Sequence, residues 1–205
     1  MSLGRFIAFE GGEGVGKSTQ ARLLAEALRQ RGIEVLLTRE PGGTPGAEAI
    51  RKLLLEPPES WSPAAEALLF AAARADHVAR AIRPALESGQ WVVCDRFVDS
   101  SRAYQGGGGG LADADVLELH RVGSGGMLPD LTFLLEVGSD EASSRLARRD
   151  GGATDAIGGR GDAYHTNVAA AFARLAEAEP ERFVRIDGGG DVETTHRRIV
   201  EALGL

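Results

Sequence analysis

The sequence predicts a three-layer α/β sandwich built on a parallel sheet of about five strands. Three observations carry that expectation. Short apolar runs alternate with stretches of helical period along the chain. The runs are continuously apolar rather than alternating, which means burial on both faces and so a sheet with helices on each side. The first run also ends in a glycine-rich string that passes directly into a helical pattern.

The strand-like runs are Phe6 to Glu10, Glu34 to Thr38, Trp91 to Asp95, Leu131 to Val137 and Phe183 to Asp187. Between them, helical spacing marks the stretches near Lys17 to Arg31, Ala47 to Leu55, Ala64 to Leu86, Asp113 to Val122, Asp140 to Arg149 and Tyr164 to Glu179. A last one, Val192 to Leu203, closes the chain. Three glycine-rich stretches interrupt the pattern, at Gly106 to Gly110, Gly123 to Gly126 and Gly151 to Gly161. The third contains arginine and a Thr-Asp-Ala-Ile segment, which suits a mobile lid of roughly residues 149–161 better than a linker. There is no internal repeat and no composition break, so residues 1–205 read as one domain.

Composition limits the class. At 43% hydrophobic and 26% charged, the chain is ordinary for a globular enzyme. No apolar run approaches the ~18 residues of a membrane span and no signal-peptide pattern opens the chain, so a cytoplasmic protein without a membrane partner is expected. Its net charge of −7 argues against a general nucleic-acid surface. The lone Cys94 sits inside a strand-like run and reads as a small buried hydrophobe.

Gly11-x-x-x-x-Gly16-Lys17-Ser18 has the spacing of a phosphate-binding loop, and its strand-loop-helix context is the one that motif requires. Glycines let backbone N–H groups turn inward on phosphate oxygens, and the helix adds its positive end. On this reading Gly11, Gly12, Glu13, Gly14, Val15, Gly16, Lys17, Ser18 and Thr19 bind a nucleoside triphosphate. Lys17 reaches the β- and γ-phosphates, and Ser18 is placed to ligate Mg²⁺. The chain has only two lysines, Lys17 and Lys52, beside twenty-one arginines, and one of the two stands where the motif needs it.

Asp95 and Arg96 close the third strand, on the side of the sheet where ligands gather. A guanidinium there suits phosphate and a carboxylate holds Mg²⁺ through water, although a plain strand-end ion pair has the same sequence. Phe70 and Arg74 share a helical face, which suits either base recognition or, for Phe70, the core. Glu13 is unusual beside a polyanion. Ser101, Tyr104 and Gln105 are polar groups and a ring in the segment that follows Arg96.

Taken together, the phosphate loop, Thr38-Arg-Glu-Pro-Gly-Gly-Thr44, Phe70-Ala-Ala-Ala-Arg74 and Asp95-Arg-Phe-Val-Asp-Ser-Ser-Arg-Ala-Tyr-Gln-Gly106 closely resemble the bacterial thymidylate kinases over essentially the whole chain. The resemblance implies Mg²⁺-dependent transfer of the γ-phosphoryl group of ATP to dTMP, giving dTDP. It implies that Phe70 stacks on thymine, Arg74 binds its carbonyl edge and Arg96 contacts the acceptor phosphate. Glu13 then meets the deoxyribose 3′-hydroxyl region, and Ser101, Tyr104 and Gln105 line the nucleoside pocket. A homodimer is also implied, in keeping with a helix near Ala64 to Ile82 that is apolar nearly all round. A related deoxynucleoside or nucleoside monophosphate kinase would share the loop and lid, but Arg74 and Arg96 together anticipate a base and a phosphorylated acceptor. A GTPase switch would need an Asn-Lys-x-Asp motif, which is absent, and a partitioning ATPase a second lysine where Gly12 stands.

The chain departs from the family pattern in the lid. Relatives with no arginine in the phosphate loop supply a catalytic arginine from the lid, where this chain has Ala156. Arg149 matches the remaining lid arginine and is expected to act with Lys17, Arg96 and Glu13 in catalysis. Arg160 is the second candidate for that charge.

Overall fold

In the computed structural model, five parallel strands form one sheet in the order β2-β3-β1-β4-β5. The structure describes residues 4–150 and 155–205, with the backbone alone at 139–140 and 147–150. The strands are β1 Phe6–Glu10, β2 Val35–Arg39, β3 Trp91–Asp95, β4 Leu131–Glu136 and β5 Phe183–Asp187. β1 is central, paired with β3 through Phe9↔Asp95 and with β4 through Phe9↔Phe133. Its side chains alternate faces. Ile7 and Phe9 pack with Leu24, Leu28 and Ile199, while Phe6 and Ala8 pack with Val78, Ile82 and Ala85 on the other side. That two-sided burial is why the strand sequence is apolar throughout.

The helices follow from local signals. α1 (Lys17–Gln30) begins after Gly16, whose φ of 98° ends the loop. α2 (Pro45–Leu55) has Pro45 in its first turn and Thr44 as cap, its hydroxyl accepting from the Ala47 N–H at 3.2 Å. Ser62 caps α3 (Pro63–His77) in the same way. The single helix expected from Ala64 to Leu86 instead passes through a widened π-helical turn, Val78–Ile82, before α4 (Arg83–Glu87). Pro84 explains the widening: it has no N–H to donate backward, and its ring needs room near the Arg80 carbonyl.

A second difference lies after β3. Sequence periodicity misses α5 (Val98–Ser101), which continues into another widened turn, Arg102–Gly108. The glycines there are set by close approach rather than by looseness. A Cβ on Gly107 would lie 2.4 Å from the Ala171 Cβ and one on Gly108 would lie 2.5 Å from the Tyr164 ring, both on α8 (Asp162–Ala178). α6 (Asp113–Ser124), α7 (Ser139–Asp150) and α9 (Val192–Ala202) complete the layers. The second strand begins one residue later than expected and the fourth ends one earlier. Cys94 is buried in β3 as anticipated. No helix of the described residues is long and apolar enough to cross a membrane.

Candidate active site

The loop after β1 leaves the sheet at Gly11 with φ of 135° and turns again at Gly14 with φ of 73°. A side chain at either place would meet backbone, Leu135 O at 2.4 Å or Ala142 O at 2.6 Å, so backbone alone fits. Lys17, in the first turn of α1, is buried and donates to the Gly12 carbonyl. Burial, with the Arg96 charge, brings its ammonium pKa down to about 8 against the opposing pull of Glu13, Asp95 and Glu10.

Ser18 donates to Asp95 Oδ2 across the β1–β3 junction. The other oxygen, Asp95 Oδ1, is buried with no hydrogen-bond partner. An orphaned carboxylate oxygen beside a hydroxyl, at the edge of the phosphate loop, fits Mg²⁺, which takes one or two carboxylates and otherwise phosphate and water.

Arg96 is the one non-glycine of the described residues with positive φ, at 69°. Such a backbone costs energy and persists where surroundings hold it. Its N–H donates to Phe9 O at 2.9 Å. The guanidinium donates to Gly11 O at 3.1 Å, Ser100 Oγ at 3.0 Å, Glu13 Oε1 at 2.6 Å and the Tyr104 hydroxyl at 3.0 Å. It also lies 4.9 Å from the Tyr104 ring centre. Beneath it, buried Glu10 accepts from the N–H groups of Phe97 at 2.7 Å and Ser100 at 3.1 Å, and from Ser100 Oγ at 2.6 Å. Burial raises the Glu10 carboxyl to about 7, with Asp99 adding to the rise and Arg96 opposing it.

Glu13 to Thr19, Phe70, Arg74, Asp95, Arg96, Ser101, Tyr104 and Gln105 all line one cavity of about 980 Å³. The Arg74 guanidinium is buried among Glu40 Oε2 at 2.7 Å, Ser101 Oγ at 2.8 Å and Phe97 O at 3.3 Å. Gly11 and Gly12 contribute the carbonyls already named. The sequence-predicted residues are therefore brought together, with two exceptions in the lid. The side chain of Arg149 lies outside the described residues. Arg160 does not line the cavity; it is paired with Glu66 and stacked 4.7 Å over the Tyr164 ring.

Sequence reasoning missed three arginines of the same cavity, Arg39, Arg51 and Arg145. Arg51, on α2, donates to Pro41 O at 2.7 Å. Arg145, on α7, reaches the carbonyls of Gly188 at 2.9 Å and Gly190 at 3.0 Å and lies 3.4 Å from Val15 O. The signal for Arg145 was present, one turn before Arg149 on the helix that enters the lid. Nothing local marks Arg51, which the packing of α2 against α3 brings in.

A family model described as thymidylate kinase matches residues 9–199. A curated thymidylate kinase of Rhizorhabdus wittichii is 56% identical over 201 residues, covering 98% of this chain and 97% of that protein. One from Caulobacter vibrioides is 45% identical over the full length of both. Among solved structures, a thymidylate kinase crystal structure from Ehrlichia chaffeensis superposes with a TM-score of 0.77 at 32% identity, covering 99% of each chain. With the phosphate loop, the Asp95-Arg96 turn and the Phe70-Arg74 face opening on one cavity, these matches mean that the chain belongs to the thymidylate kinase family.

Proposed function

We propose that this chain transfers the γ-phosphoryl group of ATP to dTMP, releasing ADP and dTDP, and that the residues gathered in the large cavity carry the reaction. The observation that supports this best is the continuity of that cavity, from the phosphate loop past Arg96 to Phe70, Arg74 and Gln105. One molecule with phosphates at one end and a base at the other fills each half.

Phosphoryl transfer asks for positioning and charge neutralisation more than for covalent chemistry. Gly11 to Thr19 hold the ATP phosphates, and Lys17 meets the β- and γ-phosphates. Burial keeps that ammonium in a site where its charge is poorly screened. Phe70 stacks on the base, Arg74 donates to its carbonyl edge, and Ser101, Tyr104 and Gln105 border the nucleoside. Arg96, fixed by four side-chain contacts, aligns the acceptor phosphate, and Glu13 meets the sugar. Ser18 and Asp95 would hold Mg²⁺, which supplies Lewis-acid neutralisation of the β- and γ-phosphate charge when bound. Arg149 closes over the transferring group from a lid of residues 149–161.

The enzyme works as a cytoplasmic homodimer of single-domain chains, its interface supported by the apolar face that α3 leaves in solvent, where Leu68 is 55% exposed. ADP release measured with dTMP, dUMP, thymidine and water as acceptors tests the activity. Fast release with dTMP and none with thymidine or water is expected; equal rates with thymidine would mean that the acceptor need not carry a phosphate.

A further inference from the structure

Glu66, Phe70 and Arg74 recur at intervals of four along α3 and so form one row on that helix. Phe70 and Arg74 border the cavity, while Glu66 is 5% exposed and sits just behind it. One Glu66 oxygen accepts from Gln105 Nε2 at 3.0 Å, and the other accepts from the Arg160 guanidinium. Gln105 itself is 2% exposed and lines the cavity, and its Oε1 has no hydrogen-bond partner among the described residues.

A primary amide has two faces, an NH₂ that donates and an oxygen that accepts, and its neighbours decide which way it turns. A carboxylate paired with a guanidinium offers acceptors alone, so Gln105 must give it the NH₂ and keep the oxygen for the other side. We propose that Glu66 is a positioning residue that sets base specificity, holding the Gln105 amide so that its oxygen accepts the N3–H of an imide base such as thymine. The inference rests on the dTMP reading of the cavity. Thymine presents N–H at position 3, whereas cytosine has a bare nitrogen there and would want the amide turned round. Arg74 reinforces the choice, since it has donors alone and cytosine carries an amino group where thymine carries a carbonyl.

Arg160 has a different part in this arrangement from the one its lid position implies. Its guanidinium occupies the second Glu66 oxygen, stacks on Tyr164 and borders a separate hollow of about 230 Å³ shared with Trp61, Pro63 and Gly109. It fixes the carboxylate that fixes the amide, and it ties the segment after residue 155 to α3.

The test is the ratio of kcat/KM for dTMP to that for dCMP in the wild-type enzyme and in Glu66→Gln. A glutamine at 66 offers the Gln105 amide either a donor or an acceptor, so both orientations become available. The ratio is expected to fall roughly tenfold or more, with the ATP Michaelis constant changed less than about twofold. An unchanged ratio, or equal losses for both acceptors with a lowered melting temperature, would show that Glu66 serves the fold alone. Should Glu66→Gln not fold, Gln105→Leu carries the same question, and a preserved ratio in that variant overturns the assignment. A wild-type enzyme with no preference for dTMP over dCMP would instead remove the dTMP reading on which the inference stands.

Discussion

Arg74 and Glu40 meet at 2.7 Å, Nε to Oε2, with only 3% and 4% of their side chains exposed. The other Glu40 oxygen lies 3.1 Å from His77 Nδ1, and His77 Nε2 lies 2.7 Å from Thr38 Oγ1. The cavity-lining Arg74 is thus held from behind by a buried chain that runs from α3 to the end of β2. Breaking a buried pair from one side leaves the other charge uncompensated, at a cost of about 3–5 kcal/mol. Glu40→Gln is expected to lower the melting temperature by several degrees and to raise the dTMP Michaelis constant about tenfold, with that for ATP nearly unchanged. Equal changes for both substrates would separate Glu40 from base recognition.

Glu10 gives a pH signature. Burial, then Asp99, raises its carboxyl from 4.5 to about 7 in the folded protein, so the fold favours the neutral form. The associated stability is present below pH about 4.5 and is lost as pH rises through about 7. The melting temperature of the wild type relative to Glu10→Gln should therefore fall between about pH 5 and about pH 8. A flat difference would mean that the Phe97 and Ser100 donors hold the carboxylate ionised throughout.

The lid arginines separate by rate. Val15 leaves the phosphate loop without an arginine, and an arginine supplied to this transition state is worth on the order of 10³ or more. Arg149→Ala is expected to lower the single-turnover rate strongly with little change in the dTMP Michaelis constant. Arg160→Ala, whose guanidinium is taken by Glu66, should have a smaller effect on that rate. A larger loss at Arg160 would exchange the two roles.

Association is tested by mass. α3 exposes Ala64, Leu68 and Ala72 at helical spacing, and the neighbouring α6 leaves Val122 71% exposed. Light scattering at micromolar concentration should return twice the 21.6 kDa of one chain. Leu68→Glu should shift it toward one, because a stable interface of more than about 1,000 Å² does not tolerate a charge in its apolar centre.

Every strand was legible to within about a residue at each end, because burial on both faces writes an uninterrupted apolar run. The phosphate loop was legible because its function resides in consecutive backbone. α5 and its widened turn were not, since the Gly106–Gly108 string reads as a break until α8 is seen pressed against it. Glu10, Glu40, Glu66 and His77 were likewise silent. A buried polar side chain looks like any other in a sequence, and the partners here stand 34 to 94 positions away. Arg96 fell between these cases: its place was readable, and its left-handed backbone was not.

The Phe9↔Asp95 ladder has a consequence beyond holding β1 to β3. The phosphate loop grows from the end of β1 and Arg96 from the end of its immediate neighbour β3, so the two are anchored one strand spacing apart, about 4.8 Å. That interval is fixed by backbone hydrogen bonds, whatever side chains surround it. Substitutions among the side chains of α3 or of the segment after residue 155 therefore leave that interval as it is, because neither element carries the ladder that sets it.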